Sequence, residues 1–191
     1  MKLIASPIRP VALEASRRAG APKPTAAVAP LSKVLVDGDA ELRVTAVQAL
    51  AEIGSPGALQ SLERAADDTD RDVRLAAIRA IQVSAYRAAL PRLDAMVKGR
   101  GIRGADLSEK MAVFEAFGSL CGDGGIAALD ALLNGKSMFG RREDAEMRAC
   151  AAVALGRVGT ATAIAALQRA ASEKDVVVRN AVSRALRGGG A

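Results

Sequence analysis

Five times along the chain an aspartate stands four residues before a cation: Asp39 and Arg43, Asp70 and Arg74, Asp106 and Lys110, Asp144 and Arg148, Asp175 and Arg179. A carboxylate and a cation held together could do acid–base work. A catalytic pair is needed once, however, whereas a pair repeated in every unit is a structural device. The predicted role is therefore local. The Asp accepts a free backbone N–H at a helix start, worth about 1 kcal/mol. The cation one turn on pairs with that Asp or with the Asp of the adjacent unit. Lys110 is the one lysine among the five cations and gives up bidentate geometry.

Little other chemistry is open to this chain. It has no His, which removes Ser–His and Cys–His catalysis, His-ligated zinc and Glu-x-x-His di-iron sites. Cys121 and Cys150 form no Cys-x-x-Cys pair, so neither a disulfide framework nor a thiolate zinc site is expected. Cys150 aligns with Thr45, Ala76, Ala112 and Ala181, a position for small side chains, while Cys121 aligns with Gly54 and Gly159 and should be the more accessible thiol. Met111, Phe114 and Phe117 are at helical spacing and read as core. The glycine clusters at 122–125 and 188–190 follow no strand and read as a turn and a frayed end, not a phosphate loop. The reading is of a non-enzymatic protein with no catalytic residue, cofactor or metal.

The elements that position the ladder follow from counting onward from each cation. Three residues later come Ala46, Ala77, Val113, Ala151 and Val182; six later an Ala in every unit (Ala49, Ala80, Ala116, Ala154, Ala185); seven later Leu50, Ile81, Phe117, Leu155 and Leu186. Offsets of 3, 6 and 7 share one helical stripe, so each cation opens a helix, B, whose buried face is small enough for close approach. Half the residues are hydrophobic but only 2% are aromatic, and 42 are alanine, which fits a core of closely packed helices. Before each Asp lies a second apolar stretch, helix A, at 25–36, 56–66, 87–97, 126–133 and 161–171. Pro30 and Pro91 fall inside two of these and predict kinks. Gly54, Gly159 and the Cys121–Gly122 pair end B helices.

Cation-to-cation spacings of 31, 36, 38 and 31 residues describe helical hairpins stacked about five deep, an α-solenoid. The stretches DGDAELRVTAVQALAEIGSPGALQSLERAADDTDRDVRLAAIRAI and EDAEMRACAAVALGRVGTATAIAALQRAASEKDVVVRNAVSRAL resemble HEAT repeats, specifically the bacterial PBS-lyase-like (E/Z-type) variety. That resemblance implies an all-α, right-handed superhelix of HEAT/armadillo type over residues 25–188. The repeats fall at about 25–54, 55–85, 86–122, 123–159 and 160–188, behind a flexible Pro/Ala/Arg-rich tail or linker at 1–24. It also implies a scaffold for other proteins. The pigment-turnover or chromophore-lyase role suggested by the family's name rests on no lyase residue in this chain. The di-iron hydroxylases of the same repeat class need His–Glu motifs, which a chain without His lacks.

Two places depart from the repeat, and departures are where function is sought. The A–B connections of the third and fourth repeats are lengthened, at 98–106 and 134–144. Turns of one kind emerge on one edge of a solenoid, so the two insertions should lie side by side. They would present Lys98, Arg100, Arg103, Lys136, Arg141 and Arg142, with Met138 and Phe139 as apolar anchors and Asp106, Glu143 and Asp144 at the margins. This edge is the expected docking site for an acidic partner, nucleic acid or a phosphate ligand. The other candidate is the outward side of the B helices, with Gln48, Glu52, Arg79, Gln82, Glu115, Arg157 and Arg184.

The ends of the array predict self-association or stacking on a further domain. The first helix A has Val28, Leu31, Val34, Leu35 and Val36, and the last helix keeps Val177, Val178 and Val182. The formal charge of +6 favours nucleic acid less than it first suggests. Residues 1–33 hold Lys2, Arg9, Arg17, Arg18, Lys23 and Lys33 against Glu14 alone, so +5 of the +6 belongs to that segment. With almost no aromatic residues to stack bases, nucleic-acid binding through the basic turns and tail is the second reading. Pro7, Arg9 and Pro10 interrupt the N-terminal apolar stretch, and no charge-free run reaches the roughly 18–20 residues of a membrane span. A cytoplasmic protein without a membrane partner is expected.

Overall fold

The computed structural model describes residues 25–136 and 140–188. Its fold is all-α, with no strand among the described residues. The chain divides into two compact units, Met1–Ser84 and Ala85–Ala191.

In the first unit a 3-10 turn, Thr25–Ala27, leads into α1 (Val28–Asp37), followed by α2 (Ala40–Ile53), α3 (Pro56–Ala65) and α4 (Arg71–Val83). These are two hairpins, α1/α2 and α3/α4, and α2 packs on all three of its neighbours. Leu31, Val47, Leu50, Leu62, Ile78 and Ile81 form the buried centre.

The second unit contains α5 (Leu90–Lys98), a single helical turn α6 (Gly101–Gly104), α7 (Leu107–Cys121), α8 (Ile126–Asn134), α9 (Ala145–Val158), α10 (Ala161–Arg169) and α11 (Val176–Gly188). Here α9 is the central element and packs on α7, α8, α10 and α11. Phe114, Leu129, Leu133, Met147, Leu155 and Leu167 are fully buried around it. Each unit is thus a stack of helical hairpins, the solenoid architecture.

All five aspartates of the ladder are N-caps, and the backbone shows why the B helices begin where they do. Asp39 accepts from Leu42 N at 2.9 Å, Asp106 from Glu109 N at 3.0 Å and Asp144 from Met147 N at 2.9 Å. Asp70 accepts from Asp72 N and Val73 N at 2.9 and 3.2 Å, and Asp175 from Val177 N and Val178 N at the same two distances. Helix ends follow a register too. Eleven residues after the cation, Gly54 and Gly159 have φ of 56° and 66°, and Ala85 has φ of 49°. The second hairpin therefore places alanine in the left-handed region that glycine serves elsewhere, at a steric cost. In the third hairpin Cys121 is still helical, and it is Gly122, with φ of 54°, that ends the helix one residue later.

The predicted proline kinks do not occur. Pro91 sits in the first turn of α5, which the 3-10 turn Arg87–Ala89 precedes, and Pro30 is the third residue of α1. First-turn positions have no intrahelical N–H bond to lose, so the prolines help start these helices.

The small-residue stripe brings helices very close. A Cβ added to Gly118 in α7 would lie 2.4 Å from the backbone oxygen of Ala154 in α9. One added to Gly156 in α9 would lie 2.9 Å from Cβ of Ala185 in α11. On the last helix Val178 and Val182 are buried, Val176 and Val177 are 55% and 54% exposed, and Asn180, Arg184 and Arg187 are exposed beside them. At the other end Leu31 is buried while Val36 is 79% exposed. Residues 107–134 are helical throughout and pass a length-and-hydropathy test for a membrane span. They are nevertheless the two arms α7 and α8 on either side of Gly122–Gly125, and Phe114, Phe117, Leu120, Leu129 and Leu133 on them are core.

Candidate functional site

Arg43, Lys110 and Arg148 pair with acids other than their own caps. Arg43 donates from Nε and NH2 to the carboxylate of Asp68, both at 2.9 Å, and from NH1 to Gly38 O at 2.8 Å. Arg148 donates from Nε to Leu133 O at 3.0 Å and from NH2 to Glu173. Lys110 reaches Glu146 at 2.6 Å. Arg74 and Arg179 each direct NH1 at carbonyls of their own A–B turns, Asp68 and Thr69 for the first, Glu173 and Lys174 for the second. The arginines close their own turns through carbonyls, and Arg43 and Arg148 turn another edge to the next hairpin.

The acids that receive these cations are Asp68 and Glu173, each two residues before a capping aspartate, and Glu146, two residues after one. Sequence reasoning fixed on the caps and missed them. The acid-x-Asp pattern at Asp68–Asp70 and Glu173–Asp175 was the available signal. Burial sharpens these pairs, since the Lys110 and Arg148 side chains are each only 6% exposed. The hydrogen bond from Arg148, aided by Arg142, holds the Glu173 carboxyl down at about 2, and that to Glu146 raises the Lys110 ammonium. Bonding to Asp68 likewise raises Arg43.

The two lengthened turns do come together. Arg103, on α6, makes a bidentate pair with Glu143 across 40 residues, at 3.0 and 2.8 Å, and donates to Gly99 O. Ile102 anchors the inserted turn by burial. The adjacent Arg142 points the other way, to Glu173. The fourth turn is thereby fastened on both sides. The edge is less cationic than its sequence, because Arg103 and Arg142 are held by carboxylates and Lys98 pairs with Asp94 at 2.6 Å. Arg100, Lys136 and Arg141 are exposed there, and Met138 and Phe139 lie outside the described residues.

Along the B helices Gln48, Glu52, Arg79, Arg157 and Arg184 are exposed, while Gln82 and Glu115 are half-buried and Glu115 accepts from Arg157 at 3.2 Å. Cys150 is fully buried beside Met111 Sδ, and burial pushes its thiol up to about 12. Cys121 is half-buried and burial raises it too. Among the described residues no group of three or more His, Cys, Asp or Glu could hold a metal ion. An open groove of about 230 Å³ in the first unit runs past Leu35, Val36 and Arg64, with Ser32 and Ser61 hydrogen-bonded at 2.8 Å on its wall.

Turns closed by buried cations, capped B helices and an alanine stripe recur from hairpin to hairpin, and residues 2–82 match the family of HEAT repeats. Over that stretch the chain is similar to HEAT repeats. The match takes in residues 2–24, the segment read from sequence as a tail. None of the curated proteins matches the sequence. Among solved structures the chain is similar to human deoxyhypusine hydroxylase in complex with glycerol, at 19% identity and a TM-score of 0.39, over 86% of this chain and 74% of that one. It is also similar to two engineered proteins, each at 23% identity over 86% of this chain, with TM-scores of 0.44 and 0.42 and coverage of 48% and 79% of those chains.

Proposed function

We propose that this HEAT-repeat scaffold is a non-enzymatic adaptor that docks another protein on the edge formed by its two lengthened turns. One observation carries the reading: the Arg103–Glu143 pair draws together the two segments that interrupt the repeat, leaving Arg100, Lys136 and Arg141 exposed on that edge. The ladder charges are committed to closing turns and joining hairpins, so partner contact falls to the surface the ladder does not use. The partner chemistry that fits is acidic. Nucleic acid fits less well, because Arg103 and Arg142 already face carboxylates and strong phosphate binding needs several uncommitted cations. The proposal includes a bacterial cytoplasmic setting.

The test is cross-linking and affinity capture from the host, comparing the native chain with Arg100→Glu/Lys136→Glu. Loss of a captured protein in the variant, with unchanged thermal stability, supports the edge. A partner bound equally by both chains refutes the edge, and capture of no protein by the native chain refutes the adaptor reading.

A further inference from the structure

The joints between consecutive hairpins use a fixed register, and the first and last described hairpins each carry half of one. We propose that the outer face of the last hairpin receives the first hairpin of a second copy of this chain, head to tail. This goes beyond the docking edge and uses other residues, so either can fail alone.

Consider the last hairpin first. On Arg43, NH1 closes its own turn while Nε and NH2 grip Asp68 of the following hairpin. On Arg179, NH1 closes its own turn through the carbonyls of Glu173 and Lys174, but Nε and NH2 meet no acceptor among the described residues. Arg184 and Arg187 are exposed on the same helix. This face is cationic, with exposed Val176 and Val177 in its first turn.

The first hairpin shows the complementary face. Asp37 stands two residues before the capping Asp39, the register at which Asp68 and Glu173 receive arginines. It is exposed and has no partner among the described residues. Glu41, two residues after the cap, has the register of Glu146, the acceptor of Lys110, and is exposed. Exposed Glu52 has the register of Arg157, which pairs with Glu115 in the preceding hairpin. Arg184 has the register of Glu115. That pair is therefore reversed in sign and still complementary.

Repeating the interior joint between copies sets Arg179 against Asp37 and Glu41, and Arg184 against Glu52. Arg187 has the register of Ala51 as well as of Gly118 and Gly156, so the copies seat there at the wider helix spacing that a Cβ requires. The operation is heterologous, and the product is an open stack whose length grows with concentration. Its cohesion is largely electrostatic, so added salt shortens it.

Sedimentation velocity of the full chain over a range of concentration and salt tests this. The native chain should gain mass with concentration and lose it in salt. Arg179→Glu/Arg184→Glu should weaken association by about tenfold or more, as should Asp37→Lys/Glu52→Lys. Mixing the two should restore assembly, because each variant's altered face then meets an opposite charge. Arg179 also closes its turn, so Arg184→Glu/Arg187→Glu is the second version of the cationic-face variant, with circular dichroism confirming that each folds. A native monomer at every concentration overturns the proposal, and so does a closed dimer indifferent to these charges. Failure of the mixture to assemble overturns it as well.

Discussion

Replacing Gly118 by alanine should destabilise the second unit, although alanine is the better helix former by about 1 kcal/mol. The new Cβ would lie 2.4 Å from the backbone oxygen of Ala154 and 2.8 Å from its Cα, against ordinary C···O and C···C separations of about 3.3 Å and 3.5 Å. The obstacle is backbone, so no side chain can swing aside, and α7 and α9 must part by nearly an ångström. Overpacking of that kind costs about 1–3 kcal/mol, and a backbone obstacle points to the upper end. Set against the propensity gain, the net loss is about 2 kcal/mol, or a fall in Tm of about 4–8 °C. Urea denaturation followed by circular dichroism measures it. Gly156→Ala should cost less, since its Cβ would meet the Ala185 methyl at 2.9 Å. Gly101→Ala, with nothing within 4 Å, should stay within about 0.5 kcal/mol of the native chain. The order of stability is then Gly101→Ala, Gly156→Ala, Gly118→Ala. A Gly118→Ala chain as stable as the native one would refute the claim that glycine is there for helix approach.

Three further outcomes are expected. Glu173→Gln removes the carboxylate shared by Arg142 and Arg148 and should cost about 2 kcal/mol at neutral pH. Because Glu173 titrates at about 2 when folded against about 4.3 unfolded, its contribution is whole above the unfolded value and is lost as pH falls toward 2. The variant should therefore lose less stability than the native chain across that acid window, as denaturant midpoints would show. Ala85→Gly relieves a φ of 49° and should raise the unfolding free energy by about 0.5 kcal/mol, read as a higher urea midpoint, the relief exceeding the added entropy of the unfolded chain. Cys150, buried and raised to about 12, should resist a thiol reagent at neutral pH until the chain unfolds, whereas half-buried Cys121 should be labelled first, as peptide mapping would show.

What the sequence made legible was whatever repeats. Capping aspartates, the alanine stripe and the hairpin periodicity each recur in register, and a local rule seen five times is hard to misread. What escaped it was relational. Nothing in the spacing of Asp39 and Arg43 says that, while Asp39 caps Leu42 N, Arg43 reaches forward to Asp68. Pro30 and Pro91 misled because a helix start shifted by two or three residues turns an interior proline into a first-turn one. On the edge the two insertions were rightly expected to meet, yet their charges were counted as though each faced solvent. Glu143 and Glu173 show that an arginine in the sequence is not an arginine available to a partner.

In the second unit the joints described above each link adjacent hairpins, the longest spanning 42 residues along the chain. That unit therefore responds to force as a series of links. Pulled from its C-terminus, α11 and α10 should leave first, releasing Glu173 from Arg148 and Arg142 while the α7–α9 contact at Gly118 still holds. A force–extension trace of the second unit should show successive short releases of hairpin length, rather than the single event of a domain closed by contacts between its ends.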